Sequence, residues 1–166
     1  MTAAPHSGWT LERACWSDDQ RRIELVRRAV FIEEQGIPEA DEWDESDPLC
    51  WHVLAVATNR DVVGTGRVDP AGKIGRVAVL PQYRGTGVGA AIVSRLVGLA
   101  AEQGLAEVYL NAQTNALRFY VRLGFQAEGP EFDEVGIPHR RMRQRIGKTN
   151  EQQAGRDGHT EHPVEP

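Results

Sequence analysis

The glycine-rich segment from Val77 to Ala90 has the residue types that bind phosphate. It begins with the apolar run Val77-Ala78-Val79, which is typical of a strand, and continues through Arg84-Gly85-Thr86-Gly87-Val88-Gly89 into a helical pattern. Glycine leaves a backbone N–H unobstructed because it has no Cβ, and the first turn of a helix presents unpaired amides with a positive partial charge. The sequence therefore predicts an anion-binding turn, with phosphate as the expected ligand.

Three phosphate-binding patterns compete for this turn. A Walker loop requires Gly-Lys-Ser/Thr at the start of the helix, whereas Gly89 is followed by Ala90-Ala91. A Rossmann motif is matched in its letters by Gly85, Gly87 and Ala90, but the segments before the turn alternate like an antiparallel meander and not like a βαβ unit. Nucleoside triphosphate hydrolysis is thus poorly supported, and dinucleotide binding stays the weaker alternative.

The third pattern is carried by two separate segments. Residues 84–89 resemble the [QR]-x-x-G-x-[GA] motif of the GCN5-related N-acetyltransferase (GNAT) family, which binds acyl-CoA. Residues 115–125 resemble that family's second segment, N-x-x-A-x-x-F-Y-x-x-x-G-F, although Leu117 and Arg118 shift the register of its middle. The resemblance covers roughly residues 9–146 and implies an enzyme that transfers an acetyl group from acetyl-CoA to an amine.

The resemblance also implies roles for the cofactor side. Main-chain groups of the strand ending at Val79 are expected to hold the pantetheine arm, and the amides of residues 84–89 the pyrophosphate. Asn115 is expected to contact the cofactor while capping its helix. Tyr120 is expected to face the thioester sulfur, where a phenol of pKa about 10 protonates the leaving thiolate. The expected cofactor-binding residues are Val77, Ala78, Val79, Arg84, Gly85, Thr86, Gly87, Val88, Gly89, Ala90, Asn115 and Tyr120.

Further segments resemble the ElaA-like subgroup of the family and imply an acceptor site. The segments are residues 30–36, 51–52, 112–113 and 134–139, and the implied substrate-binding residues are Glu34, Gln35, His52, Gln113, Glu134 and His139. Two of these are candidate general bases, His139 with an ordinary pKa near 6.5 and Glu34 acting through a water. A solvated helix end for Glu34, a hydrogen-bonded strand histidine for His52 and a turn residue for His139 remain the structural alternatives.

The surrounding pattern predicts the elements that position these residues. The order is β-α-β-β-β-α-β-α-β-β, and we expect an α+β fold with a mixed, mainly antiparallel sheet flanked by helices. Ser17, Asp18 and Asp19 supply capping groups for the first helix. Apolar residues almost vanish at both ends, so residues 9–146 form the expected N-acetyltransferase domain, with disordered tails at 1–8 and 147–166.

Composition limits the possible partners. The net charge is −5, no apolar run approaches the roughly 20 residues of a membrane span, and Cys15 and Cys50 lack a Cys or His at metal-ligand spacing. We therefore expect a cytoplasmic enzyme without metal or membrane partner. The basic last strand raises nucleic-acid binding as an alternative, but it lacks interleaved aromatic residues, so we expect none. The acidic segment 39–47 favours a cationic acceptor such as a polyamine or a lysine side chain. A homodimer and a non-catalytic CoA-binding sensor are also open.

Overall fold

The computed structural model describes residues 8–147, which contain the seven strands and three helices in the expected order and one further short helix, α2, before β2. The expected tails lie outside the described residues, apart from Gly8 and Gly147. The strands are β1 Trp9–Ala14, β2 Trp51–Ala57, β3 Val62–Val68, β4 Ile74–Val79, β5 Glu107–Gln113, β6 Gln126–Glu134 and β7 Ile137–Arg145. The helices are α1 Trp16–Arg27, α2 Glu39–Glu42, α3 Val88–Glu102 and α4 Leu117–Arg122. This confirms the α+β class.

The strands form two antiparallel sheets that meet at a single point. One sheet has the order β1-β2-β3-β4 and the other the order β5-β7-β6. A parallel bridge joins Lys73 to Tyr109, and beyond it β4 and β5 separate. Past this bridge β4 pairs only with β3, so backbone groups on its other edge face a wedge-shaped opening.

Helices cover both faces of the four-stranded sheet. On one face α3 packs Ile92 and Leu96 against the sheet, and a Cβ added to Gly64 or Gly66 would lie only 2.8 Å from Ile92. On the other face α1 buries Ile23 and Val26. Because both faces are covered, β2 is buried along nearly its whole length, which explains its continuous apolar sequence.

The first helix differs from expectation at its start and is followed by a wider helical turn. Cys15 and not Ser17 is the N-cap, and the Asp19 carboxylate accepts a hydrogen bond of 3.0 Å from the Cys15 amide. After α1 the chain continues as a π-helical segment, Arg28–Glu34. The wider turn is typical of functional sites and here carries Phe31 and the following Gln35 to the opening between the sheets.

The last hairpin is longer than the sequence indicates. The pattern predicts strands at 125–128 and 139–146, whereas β6 runs to Glu134 and β7 begins at Ile137. A register irregularity between Glu128 and Phe132 accommodates Gly129 and Pro130. The basic residues of β7 are partly neutralised within this sheet, since Arg143 pairs with Glu107 and Glu128.

Within residues 8–147, no helix has the length and apolar character needed to cross a bilayer.

Candidate active site

The phosphate-binding turn presents a continuous run of unpaired amides. Within residues 8–147, the N–H groups from Gly85 to Ala90 donate to no backbone or side-chain acceptor. Gly85 and Gly87 have φ angles of 74° and 89°, which L-residues with side chains rarely adopt. Arg84 departs from expectation because its amide donates to the Pro81 carbonyl oxygen at 3.2 Å. The amides of residues 85–90 therefore fit a diphosphate, and the run begins one residue later than expected.

Side chains around the turn hold it in place. Tyr83 is buried in the main core, and the Thr86 hydroxyl donates to the Tyr83 carbonyl oxygen at 2.5 Å. The Arg84 guanidinium donates through Nε to the Val79 carbonyl oxygen at 3.0 Å. Gly89 lies close to α4, since an added Cβ would be 3.3 Å from the Phe119 ring. The turn is thus fixed to β4, the strand whose backbone is expected to hold the pantetheine arm.

Glu34 contacts the cofactor turn and not the acceptor cavity. Its two carboxylate oxygens accept hydrogen bonds of 2.6 Å from both Nη atoms of Arg84. These bonds hold the pKa of Glu34 below its usual range. A carboxylate with both oxygens engaged and a lowered pKa is a weak proton acceptor. The contact with Arg84 also places this candidate base apart from the other acceptor residues.

Asn115 does not cap α4. It lies exposed in the 3₁₀ turn Thr114–Ala116, and neither this turn nor α4 has a side-chain cap. The expected cap is therefore wrong, because the inserted turn displaces Asn115 from the start of the helix. Contact between Asn115 and a cofactor stays a prediction.

His52 is also placed away from the cavity. Its side chain is 1% exposed, and Nε2 lies 2.8 Å from the Asp47 carbonyl oxygen. Its ring lies 5.5 Å from that of Trp16, and burial lowers its pKa. The expectation that His52 lines the acceptor site is corrected to the structural alternative, a hydrogen-bonded strand histidine.

The remaining acceptor residues meet in one cavity of about 270 Å³ between β4 and β5. Its lining includes Gln35, Gln113, Tyr120, Glu134 and His139. The Gln113 amide donates to Gln35 at 3.0 Å, which joins β5 to the end of the π-helical segment. Residues separated by as many as 104 positions are thus brought to one site, as the ElaA-like resemblance implies.

Tyr120 lies at the edge of this cavity with its ring held by aromatic neighbours. It makes edge-on contacts with Phe119 and Phe125, at centroid distances of 4.9 and 5.9 Å. Burial raises its pKa to about 12. The phenol therefore stays protonated at neutral pH. Among residues 8–147 its hydroxyl has no hydrogen-bond partner, so its proton is available to a ligand in the cavity.

His139 has the geometry of a general base. Its Nδ1 lies 2.7 Å from the Ile137 carbonyl oxygen, which only accepts hydrogen bonds. Nδ1 therefore carries the proton of the neutral ring, and Nε2 presents its lone pair. Nε2 lies 3.6 Å from the Glu134 carboxylate, which stabilises the ring once it is protonated. Phe132 stacks on the ring at 6.0 Å and fixes its plane.

The wall beside the cavity is a buried network of ion pairs that the acidic sequence does not reveal. Arg27 is fully buried and binds Glu42 at 2.6 Å and Asp47 at 2.7 Å. Arg67 pairs with Asp44 and Asp47, and exposed Glu39 pairs with Arg28. Most of the acidic segment is therefore neutralised by arginine, which removes much of the expected attraction for a cationic acceptor.

Sequence reasoning missed several residues of this site. Lys73, Arg76, Asp41, Glu42 and Val135 also line the cavity. Arg76 and Val135 have φ angles of 52° and 48°, in the left-handed region that disfavours such residues. The alternation of apolar and polar residues in a strand does not indicate a left-handed residue. For Val135 the neighbouring turn glycine, Gly136, is a sequence signal, whereas Arg76 has none.

Comparison with known proteins agrees with this geometry. The profile of the acetyltransferase (GNAT) domain matches residues 49–146. The uncharacterised protein YyaT of Bacillus subtilis is 45% identical over 144 residues, which is 83% of this chain and 97% of YyaT. The chain belongs to the GNAT acetyltransferase family.

Further relatives of this GNAT protein support its assignment as an acyltransferase. The N-acetyltransferase YjcF of Bacillus subtilis, itself uncharacterised, is 39% identical over 70% of this chain and 86% of its own length. The crystal structure of Escherichia coli ElaA superposes with a TM-score of 0.74 at 27% identity, covering 82% of this chain and 99% of ElaA. These likenesses confirm the family and subgroup resemblance, and the GNAT protein is an acetyl-CoA-dependent acyltransferase.

Proposed function

We propose that this protein transfers the acetyl group of acetyl-CoA to a primary amine by direct attack, with His139 as the base and Tyr120 as the acid. The observation that carries the proposal is one cavity lined by both residues and by Val77 of β4, the strand that leads into a turn whose amides from Gly85 to Ala90 are unpaired among residues 8–147. One residue accepts a proton and the other donates one, which are the two proton transfers that aminolysis of a thioester requires.

On the cofactor side, this chain supplies mainly backbone groups. The amides of the turn hold the diphosphate, and the free edge of β4 at Val77 and Val79 holds the pantetheine arm as an added strand. When bound, acetyl-CoA supplies an activated acyl group with a thiolate leaving group. Arg84 and Glu34 act here as a clamp that joins the turn to the π-helical segment.

On the acceptor side, the residues move two protons. An alkyl amine of pKa about 10.4 is protonated at neutral pH, so His139 Nε2 takes a proton and Glu134 stabilises the resulting imidazolium. The free amine attacks the acetyl carbonyl carbon, the C–S bond breaks, and Tyr120 donates its phenolic proton to the thiolate. The new amide nitrogen still carries one proton too many, and this proton passes to the Tyr120 phenolate and restores the acid. Because burial raises the pKa of Tyr120 to about 12, the acid remains protonated while the amine loses its own proton.

The test measures thiol release from acetyl-CoA with a panel of primary amines. The wild-type protein should release thiol only when an amine is present. Tyr120→Phe should lower kcat by about 100-fold while the Kd of acetyl-CoA stays constant, because the hydroxyl acts in the chemical step. Tyr109→Phe is the matched control, since Tyr109 stacks under Arg141 outside the cavity.

Two results would contradict the proposal. One is calorimetric binding of acetyl-CoA without thiol release from any amine, which would favour a sensor. The other is an unchanged kcat in Tyr120→Phe at saturating substrates, which would remove Tyr120 from the role of acid.

In wild-type protein, deprotonation of Tyr120 should not lower kcat up to about pH 10, because its pKa is about 12.

A further inference from the structure

Two cationic side chains, one just before β4 and one within it, lie on the floor of the acceptor cavity. Lys73 and Arg76 both line it, across from the hairpin that carries Glu134 and His139. The β3–β4 register shifts at this point, because Gly75 faces Arg67 while Ala78 faces Thr65. Such a bulge changes the direction of a side chain relative to strict alternation. The bulge and the positive φ of Arg76 together aim its guanidinium at the cavity.

Arg76 is held in place while part of its guanidinium stays unused. Nε and Nη2 donate to the Glu42 carbonyl oxygen at 3.3 and 3.1 Å, and Nη2 also lies 3.3 Å from the Asp44 carboxylate. Within residues 8–147, Nη1 donates to no protein acceptor. The side chain is 29% exposed and lines the cavity, so the guanidinium is not fully covered by the network that holds it.

The ion-pair network that holds Arg76 has equal numbers of positive and negative groups without Lys73. Arg27, Arg67 and Arg76 share the carboxylates of Glu42, Asp44 and Asp47. In the described part of the chain, the Lys73 ammonium has no carboxylate within 4.0 Å, although exposed Asp41 also lines the cavity. The floor thus offers one uncompensated cation and the free donors of a fixed arginine.

We propose that Lys73 and Arg76 form an anion subsite, so that the acceptor is an amine that also carries a carboxylate or a phosphate. This inference rests on the proposed function and names its substrate class. The amino group lies at His139 and Glu134, and the acidic group accepts hydrogen bonds from Arg76 Nη1 and Lys73 Nζ. Arginine suits this role because its planar donors match the geometry of both anions.

The test compares amines that differ only in the acidic group. The pairs are lysine and cadaverine, ornithine and putrescine, and phosphoethanolamine and ethanolamine. The acidic member of at least one pair should have a kcat/KM about 10- to 100-fold higher, as expected for hydrogen bonds to charged groups. The amino-acid pairs report on a carboxylate and the last pair on a phosphate.

Variants locate the preference at the subsite. Lys73→Gln and Arg76→Gln should each move the ratio of kcat/KM values within a pair towards one. Arg60→Gln is the matched control, because Arg60 also has a positive φ, of 73°, but lies in the exposed β2–β3 turn. The ratio should be unchanged in that variant. If Arg76→Gln fails to fold, Lys73→Gln carries the test, since Lys73 takes no part in the buried network.

The possible failures are distinguishable. If cadaverine, putrescine and ethanolamine are used as well as or better than their acidic partners, the subsite is wrong while the proposed function stands. A preference that survives both Lys73→Gln and Arg76→Gln also overturns the subsite. If no amine of any pair releases thiol, the proposed function fails and the inference fails with it.

Discussion

The cofactor turn around Gly87 and the acceptor wall around Arg27 use different chemical groups, backbone amides in the turn and charged side chains in the wall. The turn binds through backbone amides from one short stretch of sequence, and most of it is exposed. The wall consists of charged side chains, of which Arg27, Glu42 and Asp47 are buried, and its pairs span 15 to 34 residues. Recognition by the turn depends on local backbone conformation, whereas recognition at the wall depends on long-range ion pairs.

The difference follows from what each region must recognise. A diphosphate requires only several N–H groups in a row, which glycines at positive φ and a helix start supply together. An acceptor requires particular side chains at fixed distances, so its site needs support from several elements. The buried arginines provide this support, because a charge removed from water requires partners in fixed positions.

The strongest test of this contrast removes Arg27. Arg27→Met should lower the free energy of unfolding by about 3 kcal/mol, because Glu42 and Asp47 would lose their fully buried partner and keep only the less buried Arg76 and Arg67. Chemical denaturation measures the change. The neighbouring Arg28→Met is the matched control, since its pair with Glu39 is exposed and should contribute little. Equal losses in the two variants would contradict the view that the wall depends on buried charge.

The same contrast explains how much the sequence predicts. The turn, the helix after it and Tyr120 follow from contiguous motifs, and the element order follows from hydrophobic periodicity. His52 was misplaced because a strand histidine looks the same whether it faces a cavity or a backbone carbonyl such as that of Asp47. Arg76 was missed because a β-bulge leaves no pattern in the surrounding residues. The acidic segment looked like a solvated surface because its arginine partners lie far away in the sequence.

Glu34 shows the limit of a resemblance. The ElaA-like segment correctly leads to the end of the π-helical segment, and Gln35 does line the cavity. One residue earlier, Glu34 turns to Arg84 instead. Adjacent residues of a helical segment point in clearly different directions, so the motif locates the segment without deciding which side chain faces the substrate.

The second test strains the turn without changing its charge. Gly87→Ala should destabilise the fold by about 1–2 kcal/mol, because alanine disfavours a φ of 89°. It should also raise the Kd of acetyl-CoA by about tenfold, since a Cβ on the turn hinders the approach of phosphate to the amides. Calorimetry and thermal unfolding measure the two effects.

Gly104→Ala is the control that distinguishes the effect of backbone strain on stability from an effect on acetyl-CoA binding. Gly104 has a φ of 78°, and an added Cβ there meets no atom within 4 Å, so the loss of stability should be similar. Because Gly104 ends α3, away from the turn, the Kd of acetyl-CoA should not change. Equal Kd values in the two variants would show that the turn around Gly87 does not bind the cofactor.

The smallest expected effect concerns Val135, where the acceptor side does use a strained backbone. Val135 and Gly136 both have positive φ in the two-residue turn between β6 and β7, and Asn is the residue that favours the first position of such a turn. Val135→Asn should raise the free energy of unfolding by about 0.5–1 kcal/mol. It should also raise the KM of the acceptor, because the apolar side chain lines the cavity. Arg60→Asn, at a φ of 73° in the remote β2–β3 turn, should give a similar gain in stability with the KM unchanged. If the KM does not change in Val135→Asn, Val135 takes no part in binding the acceptor, and recognition at the hairpin belongs to Glu134 and His139.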